Sequence, residues 1–252
     1  TATTEIYTLS LHDALPILAA GLGTRLRPIT DEVPKCMVPV NGIRIIDKQI
    51  DNLHKAGVKD IVIVGGYKAD VLKKHLERYN GITFVENSRY AETNNMYSLY
   101  LALKHTEGSG FLLMNADVYF DANIIAGLLG KDKEGNSLIA CDRSGYLEES
   151  MKIETDENGK IKHISKQIAE DEHYAVSIDV YKLNADAADI LSREIYDTIE
   201  VEKSENLWTE VALDAIFGKT VFAPYEICGR WFEIDNHDDL RRAEQVFKGD
   251  VI

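Results

Sequence analysis

The chain reads LAAGLGTRLRP over residues 18–28 and PKCMVPV over residues 34–40. The first segment ends an apolar run in a glycine-rich turn, whose small residues let backbone N–H groups approach an anion closely. Arg25 and Lys35 then bring full positive charge to this part of the chain. The segment lacks the Gly-Lys-Ser/Thr of a P-loop and the third glycine of a dinucleotide-binding fingerprint. It therefore predicts a phosphate-binding turn of another kind.

Composition limits what such a turn can bind. The chain has 252 residues, a hydrophobic content of 45% and a formal net charge of −14. Proteins that bind nucleic acid carry a basic face, so the acidic balance argues against that partner and favours a small phosphorylated ligand. The three cysteines are widely spaced, which predicts neither a zinc site nor a disulfide framework and favours a reducing cytoplasm. No apolar run approaches the roughly 20 residues that a membrane span needs.

The first sixteen residues do not fit the rest of the chain. They lack the basic segment of a signal peptide. Pro16 also falls where a central strand is expected, a position that disfavours proline. We interpret residues 1–16 as an atypical N-terminal extension that need not be native, and residues 17–252 as a single domain.

Apolar runs alternate with helical stripes along the first half of the chain. Strands are predicted at 15–20, 61–64, 82–85 and 111–114. Helices are predicted at 45–53, 69–79 and 95–105, where apolar residues recur at three- and four-residue spacing. Repeated β-α units of this length predict a doubly wound, mostly parallel α/β sheet, with its sites at the carboxyl ends of the strands.

The second half has a different pattern. A hairpin is predicted where residues 151–155 and 161–165 flank the turn sequence DENG at 156–159. Further strands are expected at 174–181, 221–227 and 230–234, and helices at 185–199, 207–217 and 238–247. We interpret the hairpin region as a small lid or binding subregion attached to the α/β core.

Residues 18–28, together with Pro34-Lys35, resemble the signature of the nucleotidyltransferase family that joins a nucleoside triphosphate to a phosphorylated acceptor. This family includes sugar-1-phosphate nucleotidylyltransferases and the phosphocholine and phosphonate cytidylyltransferases. The resemblance extends from about Leu15 to the C-terminus. It implies a Rossmann-like sheet with a small β-rich insertion that binds the acceptor or forms a lid. The nucleotide-binding half would then cover about 17–142, the acceptor-binding or lid region about 143–230, and a closing strand and helix 231–252.

Such a reaction brings two polyanions together, so cations that hold the groups in line should lower its barrier. We expect Arg25 at the β- and γ-phosphates and Lys35 at the α-phosphate, where charge builds in the transition state; the alternative is ordinary surface charge on a loop. Asn94 and Asn95 form an Asn-rich segment at the start of a predicted helix, so their amides could cap that helix as well as read a base. Residues 66–67 could equally form a plain turn. The expected nucleotide-binding residues are Leu18, Ala19, Ala20, Gly21, Gly23, Thr24, Gly66, Tyr67, Asn94, Asn95, Ser98 and Ala116.

Two aspartates follow apolar strands. Asp117 comes just after the strand at 111–114, and Asp235 ends the sequence WFEID at 231–235. Mg²⁺ takes hard carboxylate oxygens, usually one or two from the protein, with phosphates and water completing its octahedron. We predict that Asp117 and Asp235 hold this ion, where the family is expected to hold its metal. The alternative is that each aspartate caps the next helix or turn.

Several residues of the second half are candidates for binding the acceptor. Lys166 falls where the sugar-phosphate enzymes of this family carry a lysine for the acceptor phosphate, and Lys152 is its rival. Either lysine could instead be a solvated strand residue. A cationic amine on the acceptor would require aromatic faces and carboxylates. The side chains available for that role are Tyr174, Asp179, Trp208, Glu210 and Trp231.

The sequence favours one substrate class over another. The run NNMYSLY at 94–100 resembles the phosphocholine branch, and the chain lacks the Glu-Lys-Pro common in the sugar-phosphate branch. We therefore expect transfer of CMP from CTP to a small phosphorylated or phosphonate acceptor, of the phosphocholine or 2-aminoethylphosphonate type, with release of pyrophosphate. The alternatives are a sugar-1-phosphate nucleotidyltransferase that makes an NDP-sugar and, in another class, a catalytically silent nucleotide-binding regulator. The sequence does not distinguish CTP from UTP or dTTP as the donor, and it does not determine whether the protein is a homo-oligomer.

Overall fold

A computed structural model describes residues 15–106, 110–130 and 135–249 of the chain. The strands are β1 (Leu15–Ala19), β2 (Pro39–Val40), β3 (Ile43–Arg44), β4 (Ile61–Gly65), β5 (Ile82–Glu86), β6 (Phe111–Asn115), β7 (Val118–Phe120), β8 (Ser137–Asp142), β9 (Lys152–Thr155), β10 (Ile161–Ser165), β11 (Ala175–Leu183), β12 (Phe222–Glu226) and β13 (Trp231–Glu233). The helices are α1 (Ile29–Glu32), α2 (Ile45–Lys55), α3 (Ala69–Leu76), α4 (Asn95–Leu103), α5 (Ala122–Gly130), α6 (Ala185–Tyr196), α7 (Thr209–Ile216) and α8 (His237–Val246).

Four parallel strands in the order β6-β1-β4-β5 form the first half of the central sheet. β11 lies antiparallel beside β6 and carries the sheet onward to β8, β9 and β10. Every residue of β1 and β4 is buried, because hydrophobic clusters cover both faces of these strands. The predicted α/β fold with a mainly parallel central sheet is confirmed.

Pro16 lies inside β1, opposite Val62 of β4, although the sequence pattern disfavours proline in a central strand. The Leu15 N–H donates to the carbonyl of Asp60 over 3.1 Å, so the backbone nitrogen of the next residue faces the other neighbour, β6. Pairing with β6 begins only at Ile17. The missing N–H of Pro16 therefore leaves no ladder bond unmade. Residues 1–14 of the predicted extension lie outside the described residues.

The C-terminal helix packs on a third hydrophobic cluster beside the sheet. Phe247 makes an edge-to-face contact with Tyr119 at 4.7 Å between ring centroids. Asn236 and Asp239 form a capping box that fixes the start of α8 directly after Asp235. Among the described residues, no helix combines the length and the apolar content required to cross a membrane.

Candidate active site

A cleft of about 440 Å³ opens where β1 and β6 end. These two strands are parallel neighbours, so the residues that follow them meet at one edge of the sheet. The cleft lining contains most of the residues predicted from the sequence: Leu18, Ala19, Ala20, Gly21, Gly23, Thr24, Arg25, Lys35, Asn94, Asn95, Ser98, Ala116, Asp117, Lys166, Asp179, Trp208, Glu210 and Asp235. The structure thus gathers the turn, the acids and the Asn-rich segment in one place.

Gly23 closes the turn after β1 against the segment that carries Lys35. Its φ of +61° lies in the left-handed region that favours glycine. A Cβ at this position would lie 2.9 Å from the Cβ of Lys35, so the close approach also requires glycine. Thr30 Oγ1 donates a hydrogen bond of 2.8 Å to the Gly23 carbonyl and holds the turn in place. The turn is therefore packed directly against the lysine.

A two-stranded ribbon places Asp117 beside Asp235. β13 pairs antiparallel with β7, with Glu233 opposite Val118. The Ile234 N–H donates to the Asp117 carbonyl over 3.0 Å, one residue before Asp235. Two acids far apart in the chain therefore lie on the same side of the cleft.

Lys35 bridges these two acids. Its Nζ lies 2.7 Å from Asp117 Oδ2 and 2.6 Å from Asp235 Oδ1, and Arg25 Nη2 lies 2.9 Å from Asp235 Oδ2. Burial lowers the pKa of Lys35, but the charges of the two aspartates raise it above its ordinary value. Burial raises the pKa of Asp235, but Lys35 and Arg25 bring it below its usual range. Lys35 and Asp235 are therefore both charged at neutral pH.

Glu233 is a third acid of this cluster, and the sequence analysis missed it. Carboxylate oxygens of Asp117, Glu233 and Asp235 lie within 4.8 Å of one another. Burial and the charges of the two aspartates raise the pKa of Glu233 to about 7. Asp117 Oδ1 is buried and has no hydrogen-bond partner among the described residues. Three hard oxygen donors, one of them unpaired, fit a divalent cation such as Mg²⁺.

The Asn-rich segment does cap a helix. Asn94 Oδ1 accepts a hydrogen bond of 2.9 Å from the Asn95 N–H at the start of α4. Asn95 Oδ1 accepts one of 2.8 Å from the Thr209 N–H at the start of α7. The two helix N-termini are thereby joined at the cleft wall, which positions Trp208 and Glu210 beside the Asn-rich segment.

β11 changes its neighbour at Asp179. Before this residue β11 pairs with β9, after it with β6, and its register against β8 shifts between Ser177 and Tyr181. Asp179 has a φ of +56°, in the left-handed region. Such a bulge re-aims a side chain, and here the Asp179 carboxyl lines the cleft. Its Oδ2 accepts a hydrogen bond of 3.0 Å from Asn115 Nδ2.

An aromatic face also lines the cleft. Trp208 is 44% exposed, so its ring is accessible to a ligand. Lys166 Nζ lies 5.2 Å from the centroid of that ring. Glu210 is buried in the first turn of α7.

Five predicted residues lie outside the cleft lining. Lys152 is buried, and its Nζ donates to the carbonyls of residues 147 and 148 over 3.3 and 2.8 Å. Tyr174 donates to a surface glutamate over 2.6 Å, and Trp231 Nε1 donates to a strand aspartate over 2.6 Å. Gly66 and Tyr67 directly follow β4, and the Tyr67 N–H donates to the carbonyl of residue 20 over 3.3 Å. The polar groups of Lys152, Tyr174 and Trp231 are therefore each engaged by a partner within the protein.

Other lining residues were not predicted: Cys36, Asn87, Tyr90, Thr93, Asn115, Met151 and Glu233. The rule that located Asp117 would also have found Asn87 and Asn115, because one directly follows β5 and the other ends β6. Asn87 is buried, and its Nδ2 donates to Thr93 Oγ1 and Ser98 Oγ. It therefore fixes the wall of the cleft near α4.

The chain is similar in sequence and in structure to known cytidylyltransferases. Residues 16–242 match the family model described as a MobA-like NTP transferase domain. Over 249 residues the chain is 33% identical to a CTP:phosphoglutamine cytidylyltransferase of Campylobacter jejuni, covering 89% of this chain and 96% of that protein. It is 44% identical to a choline-phosphate cytidylyltransferase of Streptococcus pneumoniae over 43% of this chain and 46% of that protein. A solved CTP:phosphocholine cytidylyltransferase from Streptococcus pneumoniae superposes with a TM-score of 0.75 at 27% identity, covering 94% of this chain and 100% of the other.

Proposed function

Because the chain belongs to the family of MobA-like NTP transferase domains, we propose that it transfers CMP from CTP to a small phosphorylated or phosphonate acceptor bearing a cationic amine. One observation carries this proposal. The same cleft contains a cation-and-carboxylate cluster around Lys35 and a buried acid pair beside an exposed tryptophan. The first suits a triphosphate with its metal, and the second suits an amine.

The reaction forms one bond and breaks one. An acceptor oxygen attacks the α-phosphorus of CTP, and the bond from that phosphorus to the bridging oxygen of the β-phosphate breaks. The bridging oxygen leaves with the electron pair as part of pyrophosphate. Lys35 stabilises the charge that builds at the α-phosphate, and Arg25 holds the β- and γ-phosphates. Asp117 and Asp235, with Glu233, would hold a magnesium ion, which supplies further positive charge to the phosphates when bound.

The two parts of the chain divide the substrates between them. The turn at 21–25 and the Asn-rich segment belong to the region of about 17–142, which we assign to the nucleotide. Lys166, Asp179 and Glu210 come from the region of about 143–230, which we assign to the acceptor. Of the two rival lysines, Lys166 is favoured for the acceptor phosphate, because Lys152 Nζ is held by backbone carbonyls.

The acid pair favours an amine over a sugar. Asp179 is 9% exposed and Glu210 is 4% exposed, and both line the cleft. A neutral sugar would add no positive charge beside this buried pair, whereas a cationic head group against Trp208 would neutralise it. The silent regulator is disfavoured because Lys35 and the acids it bridges are all present in one cluster.

A screen of pyrophosphate release tests the proposed function. It crosses CTP, UTP, dTTP and GTP with phosphocholine, 2-aminoethylphosphonate, phosphoglutamine, glycerol phosphate and several sugar 1-phosphates. We expect release only with CTP and an amine-bearing acceptor, with the product identified by mass. Release with a sugar 1-phosphate would support the NDP-sugar alternative instead, and no release with any pair would favour the regulator.

Replacing Trp208 with alanine should raise the KM for the acceptor roughly 3- to 30-fold, the range expected for a lost cation–π contact. The KM for CTP should change much less. Trp231→Phe is the matched control, because Trp231 lies outside the cleft lining. Steady-state kinetics with each substrate varied in turn measure both constants. Equal changes in the two KM values would count against a head-group contact at Trp208.

A further inference from the structure

The hydroxyl of Tyr181 lies between two carboxyl groups. Its oxygen is 3.0 Å from Asp179 Oδ1 and 3.0 Å from Glu210 Oε1. Tyr181 is 1% exposed, and the hydroxyl of Ser177 is a further hydrogen-bonding neighbour. A phenol has one hydrogen and can donate to only one of these oxygens. If both carboxyls were ionised, the other contact would join two oxygens without a hydrogen between them.

We infer that Asp179, Tyr181 and Glu210 share an additional proton in the ligand-free protein, and that the cationic head group of the acceptor displaces it. The second part rests on the proposed function. One carboxyl donates its proton to the Tyr181 oxygen, and Tyr181 donates to the other carboxyl. This chain satisfies both short contacts and leaves one negative charge in the cleft.

The surroundings of the pair favour this arrangement. Asp179 faces the charges of Asp117 and Glu233, which oppose its ionisation, while Glu210 faces Lys166 and a hydrogen bond from Asn95. Burial is the largest effect at both acids, and it raises the pKa of each above its ordinary value. Burial also raises the pKa of Tyr181 well above that of a free phenol, so its hydroxyl stays protonated. The other polar neighbours of Asp179, Asn115 and Ser177, do not titrate in this range.

Binding and protonation are therefore linked. A cation stabilises the doubly ionised pair, so it lowers the pKa of the pair in the complex relative to the free protein. Between those two pKa values, binding releases one proton, and the affinity rises by up to roughly tenfold per pH unit. Affinity for the amine-bearing acceptor should thus increase as the pH rises and be lost as the pH falls. The affinity for an acceptor whose head group is neutral should show no such dependence on pH.

Calorimetry in two buffers measures the proton directly. Phosphocholine is titrated into the protein in Tris and in HEPES at about pH 8, and the difference in heat gives the number of protons released. The control ligand is 3,3-dimethylbutyl phosphate, which keeps the phosphate and the shape but replaces the charged nitrogen with carbon. We expect about one proton for phosphocholine in excess of this control. Binding of phosphocholine with no excess release would overturn the inference while leaving the proposed acceptor class standing.

Three variants assign the proton to the pair. Asp179→Asn is compatible with the left-handed backbone at that position, because asparagine tolerates it. Asp179→Asn and Glu210→Gln each leave a single carboxyl, so the excess release should disappear in both. Asp238→Asn, which removes an exposed carboxyl that pairs with Arg241, should keep it. If the first two variants still release the proton, it comes from elsewhere and the inference is wrong.

A measurement without acceptor separates this inference from the proposed function. Carbon-13 NMR of the ligand-free protein, labelled at Asp and Glu carboxyls, should show a protonated carboxyl at pH 7 that is absent from Asp179→Asn and present in Asp238→Asn. If phosphocholine does not bind but this carboxyl is found, the proposed acceptor is wrong and the shared proton stands. If no such carboxyl is found, the inference fails whatever the acceptor.

Discussion

Replacing Lys35 with alanine is expected to lower kcat by roughly 10²–10³-fold, the usual effect of removing one group that stabilises transition-state charge. Lys35 Nζ is a largely buried, charged group that joins Asp117 to Asp235 at 2.7 and 2.6 Å. Its loss removes positive charge at the α-phosphate and leaves the two aspartates to repel each other. Pyrophosphate release with the best substrate pair from the screen measures the effect.

Two controls separate chemistry from folding in this experiment. Lys73→Ala removes an exposed lysine from α3 and should leave kcat unchanged. Lys35→Arg retains the charge and should recover part of the lost rate. The midpoint of thermal unfolding of each variant shows whether the fold persists. A folded Lys35→Ala protein with a near-normal rate would refute the role assigned to this lysine.

Elements with a clear pattern were predicted within a few residues, whereas three elements between 118 and 150 were omitted: β7, α5 and β8. α2 and α8 carry one apolar stripe each, and β4 is a short apolar run ended by glycine, so each pattern matches one structure. α5 reads ANIIAGLLG and is apolar nearly all round, so it has no stripe that distinguishes a helix from a buried strand. β8 is equally apolar and lies between β11 and β12, partners that only the tertiary fold supplies.

The sequence predicts that a residue belongs to the site only where the place of that residue along the chain, such as directly after a parallel strand, determines where it lies in the fold. Asp117 follows a parallel strand, and the edge on which it lies is fixed by the sheet. The sequence cannot decide whether Lys152 or Lys166 binds the acceptor. The two lysines differ in that backbone carbonyls surround the ammonium group of Lys152, and only the folded structure shows this. Glu233 could have been found from its strand, since residues two apart lie on the same face and Asp235 was already selected. Trp231 was selected for its ring, but its position depends on a hydrogen bond to Asp142.

Asp117→Asn is expected to lower turnover by roughly 10²–10³-fold, because a catalytic metal ion contributes several kcal/mol and each 1.36 kcal/mol is a factor of ten. Asparagine keeps the shape of the side chain but replaces a charged oxygen donor with an amide. Asp117 Oδ1 is also a buried oxygen that has no hydrogen-bond partner among the described residues. The variant should therefore require more Mg²⁺ for half-maximal rate and should bind Mn²⁺ more weakly, as followed by electron paramagnetic resonance.

The matched control for this substitution is Asp238→Asn, which removes an equal charge from the first turn of α8. Asp238 is 68% exposed and pairs with Arg241, so its loss should change neither the metal dependence nor the rate. Direct Mn²⁺ binding is essential to the test, because a lower rate alone could follow from a disturbed Lys35. If Asp117→Asn binds Mn²⁺ as the unaltered protein does and keeps its dependence on Mg²⁺, then Asp117 is not a metal ligand. The acids that Lys35 bridges would in that case serve only to position the lysine.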